Sequence, residues 1–329
     1  MLVSSLSFGW AFDRTESSTP STTLAAVVKG DDMRGPGRWP VTTFSIVGFD
    51  QDTGDLGVAV QSKFLAAGAA VPWARAGVGA IATQAWANLS YGPQGLDLLA
   101  QGLSASEVVE QLIEADEGHA KRQVGIVDAQ GRAAAYTGQE CTEWAGQVVG
   151  EGYTCQGNIL VDERTVQSIA WRFEAAEGEL AERLLAALLA GQGAGGDRRG
   201  RQSAALLVVR EGGSYGGYTD RYIDLRVDDH ATPIQELTRL LKLHRLYFGR
   251  TDEEQLLPLE AELTREVQAL LRDLNFYPGQ IRGIYDEATK QALADWAGME
   301  NLEERLHEGA CIDPVVLEFL RQKGKEIRA

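Results

Sequence analysis

The chain has 329 residues, 44% of them hydrophobic, with a formal net charge of −16 and three cysteines. That length supports one large domain and one small one around a sizeable core, while the acidic balance excludes a nucleic-acid-binding surface over the whole chain, since such partners need a basic face. No apolar run approaches the roughly 18 residues of a membrane span, and Cys141, Cys155 and Cys311 occur in no C-x-x-C spacing, so neither a disulfide framework nor a zinc site is indicated and a reducing cytoplasm is the default.

Residues 1–41 mix Ser, Thr, Gly, Pro and scattered charge without sustained periodicity and read as a disordered leader, absent from the mature protein in the reading developed below. Met1–Phe8 lacks the basic region of a secretion signal and no A-x-A-like site follows it. The short run Leu24–Val28 behind Thr22 and Thr23 is a decoy for the motif that matters. That motif is Thr42-Thr43, at the head of a strand running to Phe49. If the leader is absent, a threonine becomes the N-terminus and its own amine, with a reference pKa of about 7.7–8.0, can take the hydroxyl proton. A start at Val41 would place Thr42 first after methionine removal. The plainer reading is that both threonines supply β-propensity at a strand edge.

Further along, Asp50–Asp55 turns the first strand into Leu56–Ser62, and 77–83 gives a third. Helices follow from Tyr91 to Gly102 and from Ser104, where Glu107 completes an S-x-x-E capping box. A hairpin over 123–127 and 132–136 precedes helices at 161–174 and 179–190, strands at 203–209 and 221–227, and a helix from Pro233 to Phe248. Strand runs alternating with helix runs suggest layered sheets with helices outside.

Among candidate site residues, Lys63 closes the second strand, where a cation could favour the free amine or the alkoxide. Gln84 and Asn88 flank Trp86 and offer amide donors to an oxyanion or substrate carbonyl; Asn88 and Tyr91 could equally satisfy turn backbone. The loop Gly195–Arg201 places three arginines and Asp197 before the strand at Ser203, a composition suited to a carboxylate or phosphate, with Asp197 orienting Arg199 or meeting a substrate amine. A solvated loop is the alternative. Asp228-Asp229-His230 has the composition of a metal cluster, but Thr232-Pro233 reads as the N-cap and first turn of a helix, where acids are favoured by the dipole. No metal or cofactor is expected.

Thr43–Val47, Gly57–Lys63, Thr83–Asn88 with Tyr91 and Gly92, Gly157-Asn158 and Gly195–Ala204 together resemble domain-of-unknown-function family 1028. The family is similar in fold to the N-terminal nucleophile hydrolases, so the resemblance implies an α+β fold, a four-layer αββα sandwich, and amide-bond hydrolysis by a terminal threonine. It also implies substrate contacts from Gln84, Asn88, Tyr91, Asn158, Asp197, Arg199, Gln202 and Ser203, beside catalytic Thr43 or Thr42 and Lys63. Two departures stand out. Members present Met-Thr-Phe-Ser, whereas this chain has Thr42-Thr43-Phe44, and the lysine that the proteasome-like branch carries on a later strand is missing from 77–84.

Beyond Gly249 the composition changes. Residues 250–257 read as a charged linker, expected to be protease-sensitive unless the following module docks tightly. The segments Glu266–Leu271, Leu274–Gly279, Gly283–Asp286 and Thr289–Trp296 resemble peptidoglycan-binding domains, small all-α folds, with Arg282 where the common pattern has Asp. The expected organisation is therefore a leader 1–41, a hydrolase-like domain 42–249, a linker 250–257 and a helical domain 258–329. Two functions are compatible with it: an amidohydrolase acting on a small amide or a peptidoglycan-derived peptide, or a non-catalytic protein holding an anionic ligand with the arginine loop. Small-molecule or peptide partners, including peptidoglycan fragments, fit; nucleic acid and membrane do not, and a homo-oligomer stays open.

Overall fold

A computed structural model describes residues 43–328. Thr42 and the leader, with its decoy threonines, lie outside the described residues. The protein is mixed α+β with a helical C-terminal region, and no described helix is long and apolar enough to cross a membrane.

Strand β1 (Thr43–Phe49) turns through Asp50–Asp55 into β2 (Leu56–Ser62), and Asp50 secures the turn by accepting from the backbone of Asp52 and Thr53. After β3 (Pro72–Arg75) and β4 (Gly79–Ala85) come α1 (Tyr91–Ala100) and α2 (Ala105–Glu114). The Ser104–Glu107 capping box forms as its spacing requires. Then follow β5 (Arg122–Asp128), β6 (Ala133–Thr137), β7 (Gly146–Gly150), β8 (Tyr153–Gly157), α3 (Arg164–Ala175), α4 (Leu180–Gly193), β9 (Ser203–Val209), β10 (Arg221–Val227) and α5 (Pro233–Phe248). The order β10-β9-β2-β1-β8-β7 makes a six-stranded sheet and β3-β4-β5-β6 a four-stranded one.

Alternation along the strands divides the core. Val47, Leu56, Val58 and Val60 of the larger sheet meet Ala80, Ala82 and Val127 of the smaller one. The opposite face of the larger sheet, with Phe44, Ile46 and Leu206, packs on α3, α4 and the first half of α5. Ile81, Val124 and Ile126 face outward from the smaller sheet onto α1 and α2. Strands β1, β2, β4 and β9 are buried on both faces, which is why they read as nearly continuous small and apolar runs.

The C-terminal region comprises β11 (Leu257–Pro258), α6 (Ala261–Asp273), α7 (Glu287–Met299), β12 (Cys311–Ile312) and α8 (Pro314–Arg328). Its core closes around Trp296, Leu271, Val316 and Leu320 and also takes Leu246 from the end of α5, whereas Ile234, Leu237 and Leu241 of the same helix belong to the sheet core. Gln268 is the polar centre: its amide donates to Thr289 Oγ1 at 2.8 Å and the Ile284 carbonyl at 3.0 Å, and its carbonyl accepts from the backbone of Arg282 and Gly283, both at 3.0 Å. The Val-Gln, Gly and Thr positions of the sequence motif are thus one structural unit, and Arg282 contributes to it through its backbone. Residues 250–257 are tied down at several points. Arg305, almost wholly buried, donates to the carbonyls of Arg245 and Leu246, to Thr251 Oγ1 and to Asp313, and Leu257 pairs with Ile312.

Two outcomes are expected. Arg305→Ala strands the buried Asp313 carboxylate and should lower stability by about 3–5 kcal/mol in chemical denaturation, with part recovered in the Arg305→Ala/Asp313→Ala pair; a loss under about 1 kcal/mol would contradict this account. In limited proteolysis, the exposed glycine-rich loop 211–219 should be cut before 250–257. Cleavage in the reverse order would show that the Arg305 tie does not hold the segment.

Candidate functional site

The register between β1 and β2 places Thr43 opposite Ser62, on the face that looks toward the smaller sheet. Thr43 is fully buried, and its Oγ1 has no hydrogen-bond partner among the described residues. Two residues along the same face, Ser45 begins a chain of buried amides that bridges the sheets. Ser45 Oγ donates to Gln84 Oε1 at 2.7 Å and accepts from Gln156 Nε2 at 2.7 Å. Gln84 Nε2 donates to Gln123 Oε1 at 2.8 Å and, at 3.4 Å, to the Thr43 carbonyl. Gln123 Oε1 also accepts from Asn158 Nδ2 at 3.0 Å, while its own amide donates to Thr137 Oγ1 and the Gly157 carbonyl, each at 2.8 Å. The Asn158 backbone closes the circuit by donating to the Thr43 carbonyl at 3.0 Å. Amides buried between sheets would cost several kcal/mol if unpaired, so this degree of pairing is a condition of the fold.

Two left-handed residues border the network. Ala85 (φ 64°) immediately follows Gln84, and Ile159 (φ 51°) immediately follows Asn158. A β-branched residue in that conformation is costly and persists only where its surroundings over-determine it, a pattern that clusters at sites of function.

The remaining candidates separate into those near Thr43 and those elsewhere. Lys63 follows Ser62 just past the end of β2; its side chain is exposed, and its ammonium reaches the Arg201 carbonyl at 3.5 Å. The Lys63 backbone, by contrast, donates to Asp197 Oδ2 at 3.2 Å. Asp197 is buried and consumed by that bond and by Arg199, whose backbone and guanidinium it accepts at 2.7–3.1 Å. The pair therefore clips the loop to the end of β2, and the cations that line the adjoining cavity of about 480 Å³ are Arg198 and Arg201. Gln202 donates its backbone to the Ser62 carbonyl, and the Ser203 hydroxyl bridges the Phe64 carbonyl at 2.6 Å and the Ala67 amide at 3.1 Å. Both residues shape the loop beside Thr43.

Asn88 and Tyr91 belong to a different cluster. Asn88 Nδ2 and the Tyr91 hydroxyl both donate to Asp116 Oδ2, at 3.1 and 3.0 Å, and Asn88 Oδ1 accepts from Ser90, the turn-satisfying alternative for this residue. Burial alone would raise the Asp116 carboxyl, but hydrogen bonds from Arg122, Asn88, Gly118 and Tyr91 outweigh it and hold the group well below the usual carboxylate range. Burial and the Asp116 partner push the Tyr91 phenol up. Cys141 and Cys155 are buried free thiols, and burial raises Cys141 to about 11. His230 Nδ1 accepts from the Thr232 backbone before α5 at 3.1 Å, and among the described residues no group of three or more His, Cys, Asp or Glu side chains could hold a metal.

Sequence reasoning missed Ser45, Gln123 and Gln156. The available signal was the polar side chains that interrupt otherwise small and apolar strands, Thr43 with Ser45 and Thr154 with Gln156 at alternate positions and Gln123 singly, which mark a buried face with something to bond. Gly125 supplies the space: a Cβ there would lie 2.1 Å from Gln156 Oε1. Gly125→Ala should cost about 1–3 kcal/mol, whereas Gly193→Ala, with nothing near the new carbon, should stay within about 0.5 kcal/mol. Equal denaturation midpoints for the two variants would refute the close approach.

Comparison with known proteins places these residues in a family context. The model of the family of unknown function DUF1028 matches residues 43–237, and a model described as "Putative peptidoglycan binding domain" matches 247–320. No curated protein matches the chain significantly. Among solved structures, the chain is similar to protein SPO2555 from Silicibacter pomeroyi, also assigned to DUF1028, with 31% sequence identity and a TM-score of 0.58 over 63% of this chain and 88% of that one. With more than half of its length matched by the family model, and Thr43 as the first matched residue, the chain belongs to the DUF1028 family and carries a peptidoglycan-binding-like region behind it.

Proposed function

We propose that this protein is an amidohydrolase of the N-terminal nucleophile type, with Thr43 as nucleophile once the residues before it are removed. The observation that carries the reading is the buried Thr43 Oγ1, without a partner among the described residues, beside an amide network bordered by the left-handed residues Ala85 and Ile159. Two facing sheets with helices on their outer faces resemble the αββα arrangement in which such enzymes set a terminal threonine at a strand end, which supports the reading by analogy. In the processed chain the new α-amine takes the Thr43 hydroxyl proton, Oγ1 attacks the substrate carbonyl to give a tetrahedral oxyanion, and the amine returns the proton to the leaving nitrogen as the C–N bond breaks. Water then hydrolyses the acyl-enzyme. Asn158 Nδ2 gives one hydrogen to Gln123 Oε1 and has a second to offer the oxyanion, and Gln84 braces Gln123 in turn.

The cations suited to a substrate carboxylate are Arg198 and Arg201, since Arg199 is bound to Asp197. The peptidoglycan-binding-like region favours small peptide amides derived from the cell wall as substrates. The second reading, a catalytically silent protein that holds an anion with the arginine loop, rests on that same cavity.

Intact mass of the protein from its native host should show a chain beginning at Thr43. Assayed on a panel of peptide amides and muropeptides, that form should turn over, Thr43→Ser should retain activity, and Thr43→Ala should lose on the order of 10³-fold or more. Retention of the preceding residues in the native host would sink the mechanism. An anionic peptide bound but not hydrolysed by the processed form would favour the silent reading.

A further inference from the structure

At the end of the sheet opposite Thr43 lies a larger opening. Thr43 pairs with Ser62 and Ser62 with Ser203 at the start of β9, whereas Arg210 and Arg221 mark the other end of the β9–β10 hairpin. There the hairpin loop, the end of α5 and residues of the C-terminal region enclose a cleft of about 1210 Å³. None of the residues assigned to the Thr43 site lines it.

Its walls combine bare aromatic rings with cancelled charge. Tyr215 is 73% exposed and Phe248 54% exposed, and their rings meet edge-on with centroids 6.1 Å apart. Most of the guanidinium groups in the cleft are already paired: Arg210 with Asp55, Arg221 with Asp224, Arg245 with Glu179 and Glu182, and Arg305 with Asp313. Arg210 also lies over the Tyr222 ring at 4.0 Å. This leaves Arg250, Glu211 and Glu304 as the charged groups without an ion-pair partner among the described residues, and Glu304 accepts from the Tyr215 hydroxyl at 3.2 Å. His244 donates through Nε2 to the Tyr222 carbonyl, and burial pulls its pKa below the usual imidazole range.

An anion or nucleic acid would need free cations, and an apolar ligand would leave the carboxylates and Arg250 unpaired. A sugar ring meets both demands, because its C–H face packs on an aromatic ring while its hydroxyls donate to carboxylates and accept from guanidinium. We propose that this cleft is a carbohydrate site for a neutral oligosaccharide, with Tyr215 and Phe248 as stacking platforms and Glu211, Glu304 and Arg250 as hydroxyl partners. The site spans both regions of the chain, since Glu304 comes from the C-terminal part and Tyr215 from the hairpin. It is independent of any chemistry at Thr43.

Titration calorimetry on the full chain, with maltotriose, cellotriose, chitotriose and, as a control, trialanine, tests the assignment. At least one glycan should bind saturably with a Kd of about 0.1–1 mM, and Tyr215→Ala and Phe248→Ala should each weaken it by about tenfold. Tyr215 is exposed enough that its loss leaves the core intact, so it is the decisive variant, and Thr43→Ala should bind as the parent does. No saturable binding by any of the three glycans, undiminished binding in Tyr215→Ala, or binding of trialanine alone would overturn the proposal.

Discussion

The interior between the two sheets holds amides where a simpler fold would hold methyl groups, and the whole arrangement depends on satisfying them. Ser45 with Gln84 and Asn158 with Gln123 bond across the gap at 2.7 and 3.0 Å, and the Gln84–Gln123 and Gln156–Ser45 bonds brace those groups within each sheet, so the spacing and register of the sheets are fixed by directional contacts as well as by packing. Apolar contacts between Val47, Val58, Ala80 and Ala82 tolerate small slips; a one-residue slip of β1 would unmake several of these bonds together. The Thr43 carbonyl is held by Gln84 and by the Asn158 backbone, so the network anchors that residue.

Much of this was legible in the residues. The hairpin at Asp50, the Ser104 capping box, the helix beginning at Pro233 and the paired helices α3 and α4 all follow from local signals, and the family resemblance rests on motifs that lie on β1, β2 and the loop before β9. Strands β3, β7 and β8 were not anticipated. β3 opens with Pro72, and β7 and β8 are five residues each, β7 bounded by glycine at both ends and β8 ending in one, so their pairing comes from neighbouring strands and not from a hydrophobic run of their own. The smaller sheet's second strand is shifted because Gly77 is needed for the turn at φ 69°.

The site was legible in kind and less so in detail. Gln84 and Asn158 both donate to the Thr43 carbonyl, since both sit at strand ends that the register brings together. Asn88 and Tyr91 lie close to Gln84 in sequence but turn toward Asp116, and Asp197 is saturated by Arg199 and the Lys63 backbone. A linear sequence marks which polar groups are unusual. It does not reveal which of them are already paired when the partner is remote: Asp116 stands 25 and 28 positions from Tyr91 and Asn88, and Lys63 stands 134 from Asp197.

Helix α5 serves two cores at once, with Leu237 and Leu241 in the sheet layers and Leu246 in the C-terminal region. The compositional break at Gly249 is thus not where the packing divides. A recombination event that exchanged the C-terminal region at that break would leave behind part of its own interior, so the unit that evolution or an engineer can transplant starts within the helix. Movement of the region relative to the sheets would have to bend or unwind α5, and the two parts of the chain therefore share a mechanical fate that their separate family matches do not suggest.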